Sequence, residues 1–108
     1  MLNNIFFNTG EYELDGKSKV ELNKMVDFLN KNKTIKIEIS GHTDDVGSDT
    51  ENMELSRKRA LSVQQYLHKS GVSADRISSM GYGETKPVAA NDSETNRQMN
   101  RRIEWRIL

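Results

Sequence analysis

Residues 34–60 read TIKIEISGHTDDVGSDTENMELSRKRA, and they decide the fold. Ile35, Ile37 and Ile39 alternate strictly with Lys36 and Glu38, the pattern of a half-buried strand over Thr34 to Ser40 with one wet face. Gly41 and Gly47 permit sharp turns in the loop that follows. A helix is expected from Asp49 to Ser70, stopped by Gly71. Arg59 falls inside that helix's apolar stripe. At about 100° per residue, Leu55 and Val63 lie about 40° to either side of it and Tyr66 about 20° away. Asn52 belongs to the same stripe, whereas Arg57 and Lys58 point outside it. A guanidinium so placed is partly desolvated and needs an anion, from the protein or from a ligand. Its planar fork suits a carboxylate. Asp44 leaves the strand just before the helix, where Thr43 and free backbone N–H groups can hold an anion.

Outward from this stretch, Ile5 to Phe7 is a short apolar run closed by Asn8, Thr9 and Gly10, expected as a first strand. A helix follows over about Gly16 to Asn32, with Leu22, Met25, Val26 and Leu29 on one face. Asp15 can cap it, and Ser18 with Glu21 has capping-box spacing. Arg76 to Met80 is a further strand, and Gly81 to Pro87 turns away from it. Val88 to Asn100 is polar and mostly loop, with one helical turn over Ser93 to Gln98. The last strand is Arg102 to Leu108, with Ile103, Trp105 and Ile107 on one face. The order β-α-β-α-β-β predicts an α/β (α+β) two-layer sandwich, a mixed four-stranded sheet with both long helices on one face.

The 108 residues suit a single domain, 1–108. Sixteen basic and sixteen acidic residues cancel, so the chain lacks the positive field of a nucleic-acid or anionic-membrane binder. There is no cysteine, which removes disulfides and thiol chemistry. No apolar run approaches the roughly 20 residues that span a bilayer, so no direct membrane insertion is expected. The start MLNNIFF has neither the basic segment nor the long apolar segment of a signal peptide, which suggests a domain taken from a larger parent.

Asp44 and Arg59 together could clamp a ligand bearing both an ammonium and a carboxylate. Equally, Asp44 could cap its loop or pair with Arg59, and Arg59 could bridge helix and sheet. Catalysis and metal binding fare worse. His68 lies on the far side of the helix from Arg59, His42 reads as a hydrogen-bonded turn residue, and the acidic run from Asp44 to Asp49 lacks the glycine and glutamate positions of a calcium loop. A protein-interaction or oligomerisation module, using Leu61 and the charged helix faces, is the alternative to ligand binding.

The chain resembles the OmpA-like peptidoglycan-binding domain of OmpA, Pal and MotB-type proteins. The resemblance rests on Gly41-His42-Thr43-Asp44, Gly47, Asn52, Leu55-Ser56, Arg59-Ala60, Val63, Leu67 and Gly71-Val72. It continues through Arg76-Ile77, Gly81-Tyr82-Gly83-Glu84, Pro87 and Asn100-Arg101-Arg102-Ile103-Glu104. It implies a periplasmic domain of an outer-membrane or envelope parent, needing no cofactor or metal, that binds the diaminopimelate of the peptidoglycan stem peptide without catalysis. It further implies that Asp44 and Arg59 hold the ligand's ammonium and carboxylate. Asn52 and Arg101 would line the pocket or fix its loop, Thr43 and Leu55 would shape the wall, and the parent could bring two copies together as a homodimer. Gly10 stands where many members carry a polar side chain, which withholds one contact. Asn96 and Gln98 replace a common Gly and Ala, which alters the loop before Asn100.

Overall fold

The structure, a computed structural model, describes residues 5, 7 and 10–108. Three helices and three strands follow one another: α1 (Gly16–Lys31), β1 (Ile37–Gly41), α2 (Asp49–Lys69), β2 (Ile77–Gly81), α3 (Glu94–Asn100) and β3 (Ile103–Ile107), with a 3-10 turn at Ala74–Arg76 before β2. The sheet order is β2-β1-β3. β1 runs parallel to β2, with Ile37 beside Ile77, and antiparallel to β3, with Ile39 beside Trp105. The fold is therefore α+β with a mixed sheet, as expected, but with three strands among the described residues and not four.

The expected opening strand accounts for the difference. Phe6, Asn8 and Thr9 lie outside the described residues. Ile5 and Phe7 are buried, but neither belongs to a strand. They run beside β3 through two backbone bonds, from Phe7 N–H to the Arg101 carbonyl (3.1 Å) and from Ile103 N–H to the Ile5 carbonyl (3.3 Å).

α1 begins at the predicted cap, where the Asp15 carboxylate accepts from Ser18 N–H at 2.7 Å. It buries Leu22, Met25, Val26 and Leu29 against Ile37 and Ile39 of β1 and against Ala60, Val63 and Leu67 of α2. Fully burying such side chains stabilises by roughly 1.5–3 kcal/mol each. Arg76 closes the far end of α1, donating to the carbonyls of Leu29 (2.9 Å) and Asn32 (3.0 Å).

Several boundaries move. β3 starts at Ile103, and its Ile107 is exposed, so the apolar face fades along the strand. The expected helical turn near Ser93 is a seven-residue helix capped by Ser93, whose hydroxyl accepts from Asn96 N–H. The buried Asn100 at its end accepts from Val88 and Ala89 N–H and donates to the Ala89 carbonyl, which ties the preceding polar segment down. Gly41 has no positive φ. It is small for another reason: a Cβ there would collide with the Ser56 carbonyl of α2, and one at its sheet partner Gly81 would meet Ser56 Oγ and Arg57. The two glycines let α2 close onto the end of the sheet.

Candidate functional site

That close approach brings the β1–α2 loop, the first turns of α2 and the segment before β3 together. The loop is pinned from several sides. Thr43 N–H donates to the Gly83 carbonyl at 2.9 Å, and Thr43 Oγ1 donates to the Asp44 carbonyl at 2.9 Å. Asn52 Nδ2 donates to the same carbonyl at 3.3 Å and to Glu84 at 3.1 Å. Gly47, at φ +94°, turns the chain into Ser48, which caps α2 by accepting from Glu51 N–H.

Asp44 is 3% exposed. Its Oδ1 accepts from Val46 N–H at 3.0 Å, and its Oδ2 accepts from Arg101 Nη1 at 2.7 Å. Arg101 is the hub of this end of the molecule. It also donates to the Phe7 carbonyl and pairs with Glu94 at 2.8 Å. Burial opposes its charge, but the hydrogen bonds to Asp44 and Glu94 outweigh burial and raise its pKa.

Arg59 is fully buried. Its Nε donates to the Glu11 carbonyl at 2.8 Å and its Nη1 to the His42 carbonyl at 2.9 Å. Its guanidinium lies 4.8 Å over the Phe7 ring. Burial pushes its pKa down to about 10, with Asp44 opposing and Arg101 reinforcing the shift. It remains a cation at neutral pH, held in the interior. It also joins α2 to the end of β1.

These side chains line one cavity of about 330 Å³. Of the six residues singled out from sequence, Asp44, Asn52, Leu55, Arg59 and Arg101 meet there. Thr43 does not. It is buried behind the loop and holds Asp44's backbone, so it is a positioning residue and not part of the wall. Gly10, Val46, Gly47 and Glu51 complete the lining. Sequence reasoning missed Val46 and Glu51. Glu51 was detectable, because Ser48 and Glu51 have capping-box spacing one residue before Asn52. The Asp44–Arg101 pair was missed because 57 residues separate its members.

A second cavity, of about 350 Å³, lies at the side chains of Glu38, Ser40 and His42, which alternate with Ile37 and Ile39 and so face away from the helices. At its rim Arg106 pairs with Glu38 at 3.2 Å, and Glu104 pairs at 2.9 Å with Arg102, a buried residue outside the lining. His42 is its buried member, stacked on Tyr82 with ring centres 5.5 Å apart. Burial, aided by Arg102, pushes its pKa down to about 4. Among the described residues no group of three or more acidic, histidine or cysteine side chains is arranged to hold a metal ion.

A sequence profile of the OmpA family matches residues 6–101. Outer membrane porin F of Pseudomonas fluorescens is 43% identical over 84 residues, which cover 78% of this chain and 26% of the porin. The peptidoglycan-associated lipoprotein of Buchnera aphidicola is 40% identical over 100 residues, covering 93% of this chain and 58% of the lipoprotein. The chain thus spans less than two thirds of either relative. The crystal structure of the peptidoglycan-associated lipoprotein from Burkholderia pseudomallei superposes with a TM-score of 0.92 at 27% identity, covering 96% of this chain and 88% of that one.

Proposed function

The chain belongs to the OmpA family, and from that premise we propose that its helix-side cavity binds peptidoglycan non-covalently through the diaminopimelate of the stem peptide. The observation that carries this is one cavity with a desolvated carboxylate and a desolvated guanidinium in its wall, Asp44 and Arg59. A free amino-acid end carries the complementary pair of charges. Asp44 accepts from the ligand's ammonium. Its oxygens retain lone pairs beyond those used by Val46 and Arg101, since a carboxylate offers about four acceptor sites. Arg59 donates to the ligand's carboxylate. Leu55 and Val46 cover the methylenes between the charged ends, and Asn52, Arg101 and Thr43 hold the loop in place.

Lysine at the same stem position supplies the ammonium but no carboxylate, so it makes only one of the two charged contacts and binds more weakly. The role is binding and not catalysis. The chain, as one domain over 1–108, then anchors a periplasm-facing envelope parent to the wall, with many weak sites acting together. A homodimer of the parent would double the valency.

Co-sedimentation with diaminopimelate-type sacculi tests this. The wild type is retained, and a stem tripeptide containing diaminopimelate displaces it where the same tripeptide with lysine at that position does not. Asp44→Ala and Arg59→Ala are lost from the pellet while keeping native circular dichroism, because truncating one partner of a buried charge pair costs about 2–5 kcal/mol. Retention of both variants at the wild-type level contradicts the assignment.

A further inference from the structure

We propose that Glu51 is a second anion of this cavity and selects for a free, unsubstituted amine on the ligand; the inference rests on the zwitterion reading above and concerns a residue outside the Asp44–Arg59 pair. Asp44 already faces Arg101 at 2.7 Å, so much of its charge is balanced within the protein. The other acidic side chains nearby are engaged as well. Asp45 faces Arg97 at 3.7 Å and Glu94 pairs with Arg101, while Glu84, which accepts from the neutral Asn52, does not line the cavity. Glu51 differs. It lines the cavity and is exposed, and the side-chain partner of its Oε1 is the neutral Ser48 hydroxyl at 3.1 Å. Among the described residues no basic side chain forms an ion pair with it. It sits in the first turn of α2, three residues after the Ser48 cap.

The cavity therefore presents an anion whose charge the protein leaves unbalanced. Gly10 lies on the same cavity with open space around its missing Cβ, which leaves room for an ammonium to approach. An ammonium reaching into the cavity gains from Glu51 in addition to Asp44, and the two contributions differ in kind. The Glu51 contribution acts across solvent and fades with added salt, whereas that of the buried Asp44 persists. An amide or N-acetyl group in place of the amine forfeits both.

The test uses the whole chain, titrated calorimetrically with an N-terminally capped tripeptide whose diaminopimelate side-chain amine is free and with the same tripeptide acetylated on that side-chain amine. Glu51→Gln keeps the hydrogen bond from Ser48 and removes the charge. The expected result is a loss of about fivefold in affinity for the free-amine tripeptide, no change for the acetylated one, and a shallower salt dependence in the variant. Equal binding of the free-amine tripeptide by wild type and variant overturns the role of Glu51 and leaves the cavity assignment standing. Equal weakening towards both tripeptides overturns it too, by showing that Glu51 acts only through the helix cap. A wild type that binds neither tripeptide brings down the zwitterion reading, and Glu51's role with it.

Discussion

Two cavities of nearly the same volume open near the end of β1, and they are built from different physics. The helix-side cavity has charges withdrawn from water in its wall: Asp44, Arg59 and Arg101 are each under 5% exposed. The cavity on the open sheet face is just as rich in charge, but charged side chains that line it reach water, Arg106 at 69% and Glu104 at 45% side-chain exposure. Volume and charge count do not separate the two. Desolvation does, because an ion kept from water interacts strongly with whatever meets it, while an exposed pair contributes little. One cavity is therefore offered as a site and the other is a solvated surface.

The largest expected effect sets the two cavities' arginines against each other. Arg101→Ala strips the buried Asp44 of its partner and lowers stability by about 3–5 kcal/mol, whereas Arg106→Ala costs under about 1 kcal/mol, both read from urea denaturation. Similar losses at the two positions would erase the distinction.

His42 sharpens it, as the one buried titratable group in the open-face cavity. Its folded pKa, about 4, lies below the ordinary value of 6.5, so between these values the unfolded chain binds more protons than the folded one. Stability is then full above about pH 6.5 and falls as the pH drops towards 4, by up to roughly 3 kcal/mol. Denaturation at pH 7 and pH 4.5 measures the drop, and His42→Gln is expected to flatten it. A profile unchanged by that substitution would remove His42 from the account.

A smaller effect falls on the hinge between the two cavities. Gly41→Ala drives a Cβ into the Ser56 carbonyl and forces α2 off the sheet, costing about 1–3 kcal/mol. It is expected to weaken ligand binding at the helix side while leaving the pairing of Glu38 with Arg106 intact, which amide NMR can follow.

The fold was legible wherever local pattern and tertiary burial agree. The isoleucine alternation placed β1, and the stripes of α1 and α2 placed both helices and isolated Arg59 from its basic neighbours. Long-range partners were not legible. Two of Arg59's hydrogen bonds go to the carbonyls of Glu11 and His42, which no side-chain pattern announces. Arg101 was carried over only by resemblance, and its pairing with Asp44 emerges when the segment before β3 folds back over the loop. α3 was read short because the Asn100 hydrogen bonds that help fix its surroundings come from Val88 and Ala89. Gly41 was read as a turn residue, although a helix packed against a strand end demands the same small side chain.

The most direct measurement is an amide NMR titration of the chain with matched tripeptides ending in diaminopimelate or in lysine. The account predicts saturable shifts at Asp44, Asn52, Arg59 and Arg101 with the first and far weaker ones with the second. Shifts of equal size with both, or shifts centred on His42 and Tyr82 across the sheet, would contradict it.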